Sequence, residues 1–455
     1  MNRRTFLASL GATTVFQGQG HEKGGGEAER TGLTLLSREG SGRATGYAEA
    51  NKIVTVGHRT HLAWLDSPKT GFKVRLRTLD HHRGEWSPVY EIGKAHDNHG
   101  GPALTCDQEG YLHLVYFPHH HSMRYRRSTR PNDASAWTEE IRFGENLTYP
   151  TLLCGADGTL WCSARRSHRT RPWEIELWKR EPGRDWARVG SILKARFNGY
   201  AHFQESLAWG PDHRTLHLGC RIHEKSDADA YGRIQTVGYL KSDDFGHSWT
   251  HFDGTPVSGV ASADTIESLA AGGADQRQIL RAGAIAVDPT NGIPQVIYSV
   301  SRGRKAQTFL AIPSTGGIWE RVDLARHRLA RPMPVGLTLP GGLTFDEAGT
   351  LHGTLQTQNL RDGESNWGHP SNEVLRFRRH RAGDFEFLAV SRPDPNTPHW
   401  LPSLERRTGF NKVIAPPGIS FTAGPAGRKN TNRLNNRVYF QQGPGKGAPR
   451  KAWTP

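Results

Sequence analysis

One short pattern recurs along this chain and limits what it can fold into. It is an apolar strand, a turn built on Asp and Gly, and a second strand with aromatic or aliphatic residues at alternate positions. It reads PALTCDQEGYLHLVYF, PTLLCGADGTLWCSAR, ESLAWGPDHRTLHLGCR, AGAIAVDPTNGIPQVIYSV and GGLTFDEAGTLHGTLQ, with turn aspartates Asp107, Asp157, Asp212, Asp288 and Asp346. A less regular first copy, NKIVTVGHRTHLAWLD, and a last one, NRLNNRVYFQQ, bring the count to about seven units of ~50 residues. Period-two alternation argues for half-buried strands, and a unit of this size holds four of them. The expected fold is all-β: a seven-bladed β-propeller of four-stranded antiparallel blades. Composition agrees, since 52 Gly, 27 Pro and 13 Trp in 455 residues suit many turns and aromatic packing.

Most units end with a Trp after a polar turn, as in RGEWSP, ASAWTEE, GRDWAR, GHSWTH and GGIWER. The stretch SDDFGHSW (242–249) fits the Asp-box pattern S-x-D-x-G-x-x-W found on blade turns of sialidase-type propellers, with Ser242, Asp244, Gly246 and Trp249 in its four positions. Such a box marks a fold and says little about chemistry.

The chain opens MNRRTFLASLGATTVFQG, in which Arg3 and Arg4 precede Thr5-Phe6-Leu7 and a short apolar run. This resembles a twin-arginine export signal, and the run is too short to span a bilayer, which needs ~20 apolar residues. Residues 1–30 are therefore expected to be a signal and flexible leader, and 31–455 a single propeller domain, periplasmic or secreted. No later stretch could cross a membrane, and a monomer is expected. Cys106, Cys154, Cys162 and Cys220 sit in apolar, strand-like contexts without zinc-site spacing. Buried free thiols are expected, although Cys154 and Cys162 flank a turn and a cross-hairpin disulfide is conceivable.

The net charge of +15 favours polyanionic partners, namely nucleic acid, anionic lipid or acidic polysaccharide. The basic residues are scattered through turns and strand ends, and no nucleic-acid motif is legible. The histidines are less even. HDNHGGPALTCDQEGYLHLVYFPHHHSMRYRR (96–127) places His99 before one strand and His119, His120 and His121 after the next. Because consecutive strands run antiparallel, both groups return to one face near the axis and can meet. The next two units repeat the geometry with Tyr149 and Arg165-Arg166, then with Tyr200, His202, Arg221 and His223. A metal site would suit a histidine cluster, but no acidic partner or ligand spacing supports one.

Glycosidases need two flanking carboxylates, which are scarce on this rim. Elimination at a uronic acid needs a cation on the carboxylate, a base for the C5 proton and an acid for the leaving O4. Arg, neutral His and Tyr supply these parts. The stretches HDNHGGPAL, DQEGYLHLVYFPHHHSMRYRRS and NLTYPTL resemble the exported propeller lyases that include the ulvan lyases. The resemblance is strongest from about 51 to 225. It implies cleavage of a uronic-acid-containing, sulfated polysaccharide by β-elimination, with no cofactor required for catalysis. By position it implies His99 as the main base or acid, with His119 or His120 as the second histidine. Tyr149 becomes its proton-transfer partner, Arg165 the carboxylate neutraliser with Arg221 as competitor, and Tyr200 a supporting hydroxyl. In this reading His120 is catalytic, while His119, Arg166, His202, Arg221 and His223 bind substrate. Some such propellers carry a structural metal, which the sequence does not place. Two rivals remain: an exo-sialidase-like glycosidase, and a non-catalytic glycan-binding propeller.

Overall fold

The computed structural model describes residues 32–442, apart from 227–228, 273–277, 303–304, 315, 328–335, 339, 362–363, 382 and 393. The leader expected at 1–30 lies outside them. The described chain is all-β, with thirty strands and one short 3-10 turn at Leu324–His327. The pairings are antiparallel throughout the named strands. Four strands, Ala201–Trp209, Leu216–Ser226, Asp229–Ser242 and Glu267–Gly272, form one sheet in sequence order. Ile279–Val287, Pro294–Arg302, Lys305–Pro313 and Trp319–Asp323 form the next. A five-stranded sheet follows, from Gly336–Thr338 to Phe385–Ala389.

Two larger sheets depart from simple four-strand units. The strand His119–Arg130 pairs with Leu112–Tyr116 on one side and with Ile141–Cys154 on the other, fusing two units into eight strands. At the chain's ends, Leu33–Gly40 pairs with Asn436–Gln441, from Leu33 opposite Gln441 to Gly40 opposite Asn436, with two register shifts between Leu35 and Gly40. The first and last copies of the repeat thus share one nine-stranded sheet.

The repeated aspartates do local work that explains their spacing. Asp107 accepts from the Tyr111 amide, Asp157 from Thr159, Asp212 from Arg214 and Thr215, Asp288 from Thr290, and Asp346 from Ala348 and Thr350. Each satisfies amides that the turn would leave unpaired. The Asp-box works the same way. Ser242 Oγ donates to Asp244 and accepts from the Gly246 amide, the Ser248 amide donates to Asp244, and Trp249 is buried in the core. Gly246 there has φ 86°, a conformation that costs glycine little. Between the sheets lie apolar clusters such as Leu153, Ile175, Leu177, Phe203, Leu218 and Trp249. All four cysteines are free and buried in these layers, so no cross-hairpin disulfide joins Cys154 to Cys162.

Candidate active site

The site forms where three strands meet in register. Thr148, in Ile141–Cys154, lies opposite His119 on one neighbour and Arg165 on the other. A bulge between Thr148 and Thr151 then breaks the ladder on the Arg165 side. At the bulge Tyr149 takes φ 60°, a left-handed conformation uncommon for a bulky residue. Bulges re-aim side chains, and strain of this kind clusters at functional sites. The histidine run is no loop: His119 begins a twelve-residue strand, and His120 also has positive φ, at 61°.

His99 and His119 meet, as strand parity requires. Their rings stack at 3.9 Å, and one carboxylate serves both. Asp97 accepts from His99 Nδ1 at 3.0 Å, from the His99 amide at 2.8 Å and from His119 Nδ1 at 2.6 Å. Burial alone would raise the Asp97 pKa, but the hydrogen bonds from His119 and His99 hold it well below the usual carboxylate range. The histidine cluster thus has an acidic partner, contrary to the expectation from sequence, and it lies inside the HDNH motif itself. On its other nitrogen, His99 Nε2 receives a hydrogen bond from Arg43 Nη1. An arginine can only donate and an ionised carboxylate can only accept. His99 is therefore a neutral imidazole with its proton on Nδ1. Burial is the main cause that lowers its pKa to about 3.

Tyr149 packs edge-on against His202 at 5.0 Å and against Tyr47 at 5.0 Å, with the His99 ring at 5.8 Å. Burial first, and Tyr47 second, push its phenol well above the usual value, so Tyr149 keeps its proton. Arg165 is almost fully buried. Its guanidinium lies 4.7 Å from the Tyr149 ring centre and 4.8 Å from that of Trp173. Among the described residues it has no ion-pair partner, and its Nε is buried without an acceptor. Arg221, its competitor, is already committed: Nη2 donates to His202 Nδ1 at 2.6 Å and Nη1 to the Leu280 carbonyl at 3.3 Å. His223 Nδ1 stands 3.4 Å from the same Nη1. Burial lowers the Arg221 pKa to about 9 and holds His202 well below the usual imidazole value.

One predicted residue, Arg166, falls outside this group. Arg166 follows Arg165 on a strand, so it points to the opposite face, where it pairs with the buried Glu176 at 2.8 Å. His120 stays beside the group: its ring lies 4.5 Å from that of His119 and 5.4 Å from that of Trp173, and its Nδ1 bonds Ser167 Oγ at 2.6 Å. The histidine stacked on His99 is His119. Tyr200 is 47% exposed at the edge, packed on Trp173 at 5.4 Å. Sequence reasoning missed Arg43, Tyr47, Asp97, Trp173 and Trp367. Arg43 and Tyr47 come from the connection after the first strand, where Arg43 Nη1 also donates to Tyr47 Oη at 2.5 Å. Their approach is close: a Cβ on Gly101 would stand 2.9 Å from the Gly46 carbonyl.

Asp97, His99 and His119 offer ligand atoms within 4.8 Å of one another. Both Nδ1 atoms already donate to Asp97, however, and a guanidinium abuts His99. This donor set suits a hydrogen-bonded histidine pair better than a cation.

A propeller-like repeat with an Asp-box defines the class, and the family model of the BNR repeat-containing family matches residues 45–327. The chain belongs to that family. Within it, the chain is similar to ulvan lyases. An ulvan lyase of Pseudoalteromonas sp. (strain PLSV) is 24% identical over 144 residues, which cover 26% of this chain and 29% of that protein. The match therefore spans under a third of that relative. The solved structure of a PL25 ulvan lyase superposes with a TM-score of 0.66 at 15% identity, covering 89% of this chain and 94% of that one. The same values hold for that enzyme bound to -[GlcA(1-4)Rha3S]-. Polysaccharide lyase Uly1 gives 0.55 at 13% identity, over 90% of this chain and 97% of that one.

Proposed function

We propose that this protein is a polysaccharide lyase that cleaves a uronic-acid-containing, sulfated polymer of the ulvan kind by β-elimination. One observation carries the reading. A neutral imidazole, a phenol that keeps its proton and a guanidinium without a carboxylate partner converge in one cluster. Environments that push titratable groups apart assign them opposite roles. Arg165 neutralises the uronate carboxylate and makes the C5 proton acidic. His99 Nε2 takes that proton, the C5 electron pair forms the C4–C5 double bond, and the C4–O4 bond breaks. Tyr149 gives its proton to the departing O4, and exchange with solvent restores both groups. His119 shares Asp97 with His99 and supports the imidazolium that forms. His202, His223 and Tyr200 extend the surface along which the chain lies, with the buried Arg221 holding His202 from beneath. No cofactor takes part.

The likeness to ulvan lyases supports this substrate class, as does the basic net charge, which draws acidic polymers. A retaining or inverting glycosidase would need two available carboxylates, and a sialidase-like one a Glu to activate a Tyr nucleophile. In the cluster, Asp97 has both oxygens engaged, while Glu49 and Glu205 are fully buried with carboxyls that burial keeps protonated more readily than usual. We further propose that residues 31–455 form one seven-bladed catalytic domain, monomeric, exported by the twin-arginine route and periplasmic or secreted. The test is a panel of acidic polysaccharides followed by ultraviolet absorbance, which rises only when a double bond conjugated with the carboxylate appears. Ulvan should give the rise. No rise with any uronate polymer would sink the proposal.

A further inference from the structure

Arg43 stands out because its guanidinium touches no carboxylate, the nearest negative group, Asp97, lying on the far side of His99. Among the described residues it forms no ion pair, and its Nε is buried without an acceptor. Its two hydrogen bonds go to neutral groups, Tyr47 Oη and His99 Nε2. Aromatic rings flank it: its Cζ lies 5.2 Å from the Trp367 ring centre and 5.8 Å from that of Tyr47, and these two rings stack at 6.4 Å. The backbone that carries it is pinned. Thr45 Oγ1 bonds the Leu401 carbonyl at 2.7 Å and Thr422 Oγ1 at 2.8 Å, and Lys52 Nζ donates to the Tyr47 carbonyl at 2.9 Å. The side chain itself is half-buried and reaches the site from a direction that none of the candidate strands supplies.

The contact to His99 occupies the one lone pair through which that imidazole could accept a proton. A resting base capped in this way cannot act until the cap leaves. A guanidinium paired with an anion adds the attraction of two full charges and can bind bidentately, neither of which a neutral imidazole offers, so an anion outcompetes the imidazole for Arg43.

We propose that Arg43 is a second anion-binding group of this site and a gate on its base: an anionic group of the bound polysaccharide takes the Arg43 guanidinium and frees His99 Nε2 to accept the substrate proton. The inference rests on the lyase reading for its catalytic consequence, but not for the binding event. Arg165, fixed between Tyr149 and Trp173, serves the carboxylate at the cleaved bond. Arg43, beside the Trp367 and Tyr47 rings, takes an anion of the same chain against a surface suited to a sugar face. The groups facing His99 are Arg43 and Tyr47 from one segment, Asp97 from its own bend, His119 from the neighbouring strand and Tyr149 from the bulge.

The experiment uses the full chain with Arg43→Gln and Arg43→Lys, assayed on native and desulfated ulvan. Arg43→Gln should raise KM about tenfold or more with a smaller fall in kcat, because it removes binding and leaves the base uncapped. The acid limb of kcat/KM should move to higher pH, since His99 in the free enzyme loses a neighbouring cation, while that of kcat moves less. Arg43→Lys should recover part of the KM, as charge without the planar fork. If the KM effect disappears on desulfated ulvan the anion is a sulfate, and if it persists it is a carboxylate. Loss of kcat at unchanged KM, or no change in either, would overturn the gate.

A second arm is independent of turnover. The 15N signals of the His99 ring are followed in the wild type and in Arg43→Gln as glucuronate is added. Movement of Nε2 in the wild type and none in the variant supports the gate even if no polymer is cleaved. Identical behaviour in both proteins overturns it.

Discussion

Replacing Asp97 by Asn is the smallest change that should disable the site without unfolding it. The shapes match, but an amide offers one acceptor oxygen where the carboxylate serves three donors: the His99 amide, His99 Nδ1 and His119 Nδ1. The oxygen should stay with His99, because turning the amide nitrogen toward that ring would force its proton onto Nε2, against the Arg43 donor. His119 then flips to the other tautomer. More important, the negative charge that stabilises the imidazolium during proton abstraction is gone. At the 3.0 Å separation of His99 Nδ1 and Asp97 Oδ1 the charge–charge ceiling is about 5 kcal/mol for an effective dielectric near 20. Screening and relaxation reduce it, so the expected loss in kcat is roughly 10²–10³-fold, within the range of a general-base contribution. The assay is the initial rate of double-bond absorbance on ulvan, with thermal unfolding as a control for folding. A folded Asp97→Asn protein within about threefold of wild-type kcat would refute the shared-carboxylate reasoning.

Three further outcomes follow from the same geometry. Arg165→Ala should lower kcat by two to three orders of magnitude, about 3–4 kcal/mol of lost electrostatic stabilisation, and Arg165→Lys should recover little of it, since a point charge cannot lie flat between two rings; steady-state kinetics decides. Tyr149→Phe should cost roughly 10²–10⁴-fold in kcat, and the double variant with Arg165→Ala should lose far less than the sum, as expected of groups acting in one transition state. For pH, His217 is buried against Tyr239 at 2.7 Å, and burial lowers its pKa to about 4. The unfolded chain protonates it near 6.5 and the folded protein does not, so its contribution is full above that pH and falls as the pH drops toward 4. In denaturant unfolding between pH 7 and 5.5, wild type should lose about 1.2 kcal/mol more than His217→Gln, and equal losses would contradict the assignment.

Much of the architecture was legible because its causes are local. An Asp that caps its own turn leaves a mark at each of five positions, and alternation reports which strand face is buried. Strand parity alone brought His99 to the histidine run. The same parity should have separated Arg165 from Arg166, because neighbours on a strand face opposite sides. His119 and His120 were harder. The run HHH begins a long strand, and a positive φ at His120, which no sequence pattern announces, decides that His119 and not His120 stacks on His99. Asp97 lies inside HDNH itself, but nothing in the spacing of that motif shows that one carboxylate reaches both His99 and His119. Arg43 reaches His99 across 56 residues, and nothing in GRATGY announces a partner so distant. The fusion of two units through His119–Arg130 was likewise hidden, since the repeat marks turns and not which strands pair across units.

The central claim is that the bond is broken by elimination, and product mass tests it most directly. Ulvan oligosaccharides of defined length are digested to completion and weighed by mass spectrometry. Elimination adds no water, so fragment masses must sum to the parent, and each new non-reducing end must be lighter by one water than its hydrolytic counterpart. That result, lost in Arg165→Ala, is what the account predicts. Fragments whose masses sum to the parent plus water would show hydrolysis and contradict it.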